Sequence, residues 1–163
     1  MTRHLIAAVA LASSVALAPA ARAAPAVDKA AIAATIKADA AKMIAGINAH
    51  DPQQATVFDD PDIVSMEAGR PSSIGADADR SGMAMAMKYV PSWRIGVIDE
   101  WADVADSGDL AVYRCTANQE FTGDDGAPMV EKMNYLAEFR RQADGAWRVA
   151  WSMVAPMEKP HRK

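Results

Sequence analysis

Carboxylates supply the first residues able to do chemistry. Glu67 follows the short apolar run Ile63-Val64-Ser65-Met66 and precedes Gly69, so it stands at the end of an expected strand. At the mouth of a pocket, desolvated by Trp and Met neighbours, such a carboxyl has a raised pKa and can serve as a general base for proton abstraction. Left in water it is an ordinary solvated acid. Glu120, Asn134 and Glu138 occupy the strand phase opposite the apolar positions, where they meet either solvent or a polar part of a cavity. Polar-tipped aromatics form a second set: Trp93, Trp101, Tyr113, Tyr135, Trp147 and Trp151 fall on expected strands, mostly in the apolar phase. Large aromatics there build cores and subunit interfaces. Tyr135 and Trp151 can also line a pocket, their O–H and N–H orienting a ligand against an otherwise apolar wall. Trp93, Met43 and Asn134 complete the candidate ligand-binding set.

Metal and thiol chemistry have weaker support. Met83, Met85 and Met87 offer soft thioether sulfurs of the kind that bind Cu(I). On a helix, however, Met83 and Met87 share a face and Met85 points elsewhere, with no His or Cys nearby. Adaptable packing of that helix over a cavity is the simpler role. Asp59, Asp60 and Asp62 are cation-friendly, but Pro61 and the lack of a glycine turn do not match a calcium loop, and they read as a helix end and turn. No metal and no cofactor are expected. Cys115 is the single cysteine, which excludes an internal disulfide and a Cys-built zinc site. In the alternating stretch LAVYRCTANQEF it reads as a buried, inert thiol, with an intermolecular disulfide as the alternative. His50 and His161 fall at a helix end and in the tail, so neither is an evident activating base for it.

These residues need elements to hold them. Ile32, Ile36, Ala40, Met43 and Ile47 recur at three- and four-residue spacing and predict a helix over 28–50, capped by Asp28. Asp51 and Pro52 suit an N-cap and first helical position, so a short second helix is expected from Pro52 to about Phe58. A strand over 63–66, a Gly/Pro/Ser-rich loop over 69–75 and a helix from Ala76 to about Lys88 follow. Beyond Pro91 the chain reads as strands over 92–104, 110–121, 129–141 and 147–154, separated by glycine-bearing turns. Within them Trp93, Ile95, Val97 and Trp101 share one phase, and Trp147, Val149, Trp151 and Met153 another. Helices first and long antiparallel strands after predict an α+β domain, with helices covering one face of a curved antiparallel sheet. The polar end, 157–163, is expected to fray.

Composition bounds the partners. Seventeen Lys and Arg against 21 Asp and Glu give the 163-residue chain a net charge of −4, which argues against coating nucleic acid. With 51% apolar residues it can bury a core. Residues 1–23 read as a secretory signal peptide: Arg3 and His4, the apolar run from Leu5 to Ala18, Pro19, and the small-x-small pattern Ala21-Arg22-Ala23. The run is shorter than the roughly 20 residues a permanent membrane anchor needs. Cleavage would leave residues 24–163 as one domain in the periplasm with no stable membrane anchor.

The segment Met43–Asp51 with its Asn48-Ala49-His50-Asp51 turn resembles the opening of the nuclear transport factor 2-like superfamily. So do Val57-Phe58-Asp59-Asp60 and the loop ending Ile74-Gly75. Phe139-Arg140-Arg141 and the Asp144-Gly145-Ala146-Trp147-Arg148-Val149 segment resemble its closing hairpin, so the likeness runs over roughly 28–156. The resemblance, in particular to the SnoaL-like and ketosteroid-isomerase-like branch, implies a cone with an apolar pocket and a homodimer formed through the outer face of the sheet. A ketosteroid isomerase also needs a tyrosine and a protonated aspartic acid as oxyanion donors. Laid on that pattern, the tyrosine position is Met43 and the aspartic acid position is Ala137, neither of which can donate. Losing even one such donor costs about 10²–10³ in rate. The expectation is therefore an exported domain that binds a small apolar or amphipathic molecule. The alternatives are a cofactor-independent isomerase, cyclase or hydratase using Glu67, and an interaction module whose cavity is filled by its own side chains.

Overall fold

The computed structural model describes residues 26–163; the expected leader, 1–23, lies outside them. Helix α1 spans Lys29–Ala49, with the Asp28 carboxylate accepting from the Ala31 N–H. Its apolar stripe faces the sheet: Ile36 and Ala40 are buried, and Ile32, Met43, Ile44 and Ile47 pack against the same core. Burying a side chain the size of Ile36 contributes about 1.5–3 kcal/mol. The helix stops at His50, which adopts a left-handed conformation (φ 56°) and returns its N–H to the last turn. Asp51 then caps α2, Pro52–Ala55.

The second helix is shorter than its residues suggested, because Asp59 and Asp60 open strand β1, Asp59–Glu67, rather than closing a helix. A short β2, Ser73–Ile74, precedes α3, Ala76–Tyr89, on which Met87 is buried and Met85 is exposed. Four long strands complete the sheet: β3 Arg94–Val104, β4 Leu110–Thr122, β5 Pro128–Arg141 and β6 Trp147–Pro156. The order is β2-β1-β6-β5-β4-β3. All neighbours are antiparallel except β1 and β6, which run parallel, so the sheet is mixed rather than wholly antiparallel. A parallel pair requires a long crossover, and here nearly the whole domain lies between the two strands. The polar end carries a short strand, β7, His161–Arg162, which pairs with Val130 and Met129 of β5 beyond the end of β6.

Three register shifts interrupt the sheet, one on β1 between Asp59 and Val64, and the other two decide which side chains of the long strands face the helices. Between Val97 and Asp99 the β3–β4 register shifts by one residue. Beyond it Glu100, Ala102 and Val104 share the face of Cys115, Tyr113 and Ala111, and Trp101 is turned to the outer face opposite Arg114. A second shift, between Glu138 and Phe139 on β5, leaves Ala150 as the extra residue of β6. Trp147 and Val149 therefore face the core as expected, but Ser152 and Val154 take over the inner phase, and Trp151 and Met153 move outside. An inserted residue reverses every later side chain of its strand, because the strand repeat is two.

Candidate functional site

A cavity of about 480 Å³ opens where α2, the start of β1 and the start of α3 meet. Gln53, Thr56, Val57, Asp59, Pro61, Ala76, Asp77, Arg80 and Arg148 line it. Local sequence places each wall. Gly46 lets α2 lie directly on α1: a Cβ there would sit 2.4 Å from the Ala55 backbone nitrogen. Asp51 holds α2 by accepting from the Gln53 and Gln54 N–H groups, both at 3.0 Å. Gly75, with φ 93°, turns the chain so that α3 begins beside β1, and its N–H bonds the Ile63 carbonyl at 2.8 Å. The same end of α1 is clasped by Asn48, whose amide gives to the Ile95 carbonyl and takes from the Ile95 N–H at 2.9 and 2.7 Å.

Asp59 is the unusual group of this cavity. It is buried, and among the described residues no donor reaches its Oδ2. Its neighbour is another acid, Asp79, in the first turn of α3, where the helix N-terminus favours negative charge. Burial chiefly, then the Asp79 charge and a carboxyl–carboxyl hydrogen bond to it, push the Asp59 pKa from 3.8 up to about 8, with Arg80 pulling the other way. Two carboxylates cannot donate to one another, so that contact is a hydrogen bond only while one proton is held between them. Burial favours the side of Asp59 for that proton, because it is the charged form of the buried group that desolvation penalises.

The two arginines are held differently. Arg80 gives its Nε to the Thr56 hydroxyl at 3.2 Å and Nη1 to Asp77 at 3.1 Å, so its charge is already matched. Arg148 donates Nη1 to the Val57 carbonyl at 3.1 Å, and among the described residues no carboxylate lies within ion-pair reach of it. Behind Asp59 on the inner face is Tyr135, its ring 6.3 Å from that of Tyr113. Burial, then the Asp59 charge, drives its phenol well above the ordinary range, with hydrogen bonding from Ser152 opposing. Cys115 is buried and its thiol is pushed up by desolvation, the condition of an inert thiol.

The residues singled out from sequence are dispersed over this frame. Tyr135 is on the inner face near Asp59. Met43 and Trp93 pack against the core, and the Trp93 carbonyl meets His50 Nε2 at 3.0 Å. Trp151 and Asn134 lie on the outer face, Trp151 because of the β6 bulge and Asn134 because it alternates with the inward Met133 and Tyr135. Asn134 and Tyr135 together line a smaller cavity of about 220 Å³, with Trp101, Arg114, Cys115, Thr116 and Leu136, and Tyr135 does not line the larger one. Glu67 lines neither cavity; it is exposed and ion-paired with Arg70 at 3.1 Å. Asp59, Asp79, Arg80 and Arg148 were not among the candidates. In the sequence Asp59 reads as a helix end, and its twenty-residue separation from Asp79 gives no local signal.

No protein-family model matches the chain, and no curated relative matches it. Solved structures do. A nuclear transport factor 2-like superfamily protein from Salmonella enterica is 12% identical, with a TM-score of 0.68 over 80% of this chain and 94% of that one. A ketosteroid isomerase-like protein from Erwinia carotovora atroseptica is 22% identical, with a TM-score of 0.62 over 77% of this chain and 96% of that one. A protein of unknown function from Mycobacterium tuberculosis is likewise 22% identical, with a TM-score of 0.65 over 76% and 70%. The chain has the nuclear transport factor 2-like fold, as its motifs implied. Likeness at these identities speaks to fold, and the fold hosts many functions.

Proposed function

We propose that this domain binds a small amphipathic molecule in the cavity between α2, β1 and α3. The observation that carries the reading is Asp59, a buried carboxyl with an oxygen that no donor among the described residues reaches, set in the wall of a cavity of about 480 Å³. Binding pockets are commonly about 300–1,000 Å³, with a few convergent polar groups in an apolar lining. Here Val57, Pro61 and Ala76 supply the apolar part, and Asp59, Thr56 and the arginines the polar part. Maintaining a desolvated acid is costly for folding, and such groups concentrate at functional sites. Native mass spectrometry of gently purified protein tests the reading. A co-purifying molecule lost from an Arg148→Gln, Asp59→Ala double variant supports it; a ligand retained by that folded variant overturns it.

Two further parts of the reading concern where and how the domain works. We propose export, on the leader-like residues 1–23, which N-terminal sequencing of the periplasmic protein checks. We also propose a homodimer through the outer sheet face. Trp101 and Met153, 43% and 40% exposed, stand there beside the half-buried Leu136 and Trp151, and an apolar surface of this kind favours a partner. Light scattering on the eluting protein reads that state directly.

A further inference from the structure

We propose that the cavity takes a small organic carboxylate at Arg148, and that Asp59 is its proton gate, admitting the anion while its carboxyl group is neutral. The inference rests on the cavity being a binding site, and it adds the charge class of the occupant. Arg148 is a guanidinium in the cavity wall whose partner is a backbone carbonyl rather than an acid. Guanidinium forks match carboxylate geometry. The apolar Val57, Pro61 and Ala76 in the same wall suit an organic body rather than a bare inorganic ion.

Charge counting brings in Asp59. Asp79 and Arg80 of α3 act on it directly, Asp77 of α3 and Arg148 of β6 share the cavity wall with it, and Tyr135 of β5 lies behind it. From α1, Lys42 lies over the adjacent Phe58 ring but is already paired with Asp39. On its own strand, Asp60 accepts from Gln142, and Asp62 is exposed. With Asp59 ionised, three acids oppose two arginines around the cavity, and an incoming carboxylate is repelled. With Asp59 neutral the count balances, and the anion gains Arg148 without that repulsion. The side chain's geometry independently suits the neutral form: Asp59 is 9% exposed, and a buried oxygen with no donor is far costlier as a carboxylate than as a hydroxyl. The Asp59 pKa of about 8 sets the pH at which the gate closes.

Benzoate, benzamide and benzylamine, equal in ring and different in charge, test the idea by ligand-observed NMR on the full protein, with the site mapped by amide shifts. Benzoate binding is expected at pH 7, with Kd rising by up to tenfold per pH unit above about 8. The Asp59→Asn variant, which keeps a donor and cannot ionise, is expected to bind benzoate within a few-fold of wild type with no pH dependence. Arg148→Gln is expected to weaken benzoate at least fivefold while leaving benzamide unchanged. Equal benzoate affinity at pH 7 and pH 9.5 overturns the gate. Benzylamine or benzamide binding in the cavity while benzoate does not overturns the anion assignment and leaves the binding site intact. Silence from all three probes at the cavity counts against both.

Discussion

Replacing Asp59 by Asn removes a titratable group from a buried position while keeping its shape. The folded pKa of Asp59 is about 8 against an ordinary 3.8. A folded pKa above the unfolded one means that the folded protein binds the extra proton between these values. The stabilisation by this group is thus complete below about pH 4 and lost as pH rises toward 8. Each pH unit in that window removes roughly 1.4 kcal/mol, and relaxation around the cavity will reduce the full span to about 3–5 kcal/mol. The Asn variant does not suffer this loss. Its urea-unfolding free energy, minus that of wild type, is expected to climb by about 1 kcal/mol per pH unit from pH 5 to pH 8 and then level off. A difference that stays constant across that range would refute the claim that Asp59 is held neutral in the fold.

Four other outcomes follow from the packing. Gly46→Ala is expected to destabilise the domain by about 1–3 kcal/mol in thermal or urea unfolding, despite alanine's better helix propensity, because its Cβ collides with the Ala55 backbone. Asn48→Ala removes both hydrogen bonds to Ile95 and is expected to cost about 1–3 kcal/mol by the same measurement. Glu67→Gln breaks only an exposed ion pair, so stability should move by less than about 0.5 kcal/mol, and benzoate affinity should stay within twofold. Trp101→Glu places a charge on the outer sheet face and is expected to shift light-scattering mass to that of a monomer, with unchanged circular dichroism.

Much of this architecture was legible from residue order. The stripe Ile32–Ile47 and the glycine turns after Val104, Thr122 and Arg141 mark α1 and the boundaries of the long strands, because both rest on local periodicity and turn chemistry. The bulges at Ile98 and Ala150 were not legible. Alternation continues through an inserted residue without a break in composition, so Trp101 and Trp151 were assigned to the wrong phase. The strand nature of Asp59-Asp60-Pro61-Asp62 was also hidden. Such residues disfavour strands, and of the four only Asp59 is registered against β6, opposite Val149, before the pairing breaks and resumes at Val64. The candidate site inherits this difficulty: Asp59, Asp79 and Arg148 lie on three separate elements, and their chemistry exists only where those elements converge.

The small β7 strand carries its own implication for the life of the molecule in a crowded compartment. Without it, the stretch of β5 around Met129 and Val130 would present free amide and carbonyl groups beyond the point where β6 stops. Such an open rim invites a neighbouring molecule to add a strand, the first step toward stacking into aggregates. Arg162 and Lys163, ion-paired to Asp125 and Glu120, tie the last residues down over that rim. The terminal basic residues thus work as a selvedge, finishing the weave so that it does not unravel into its neighbours.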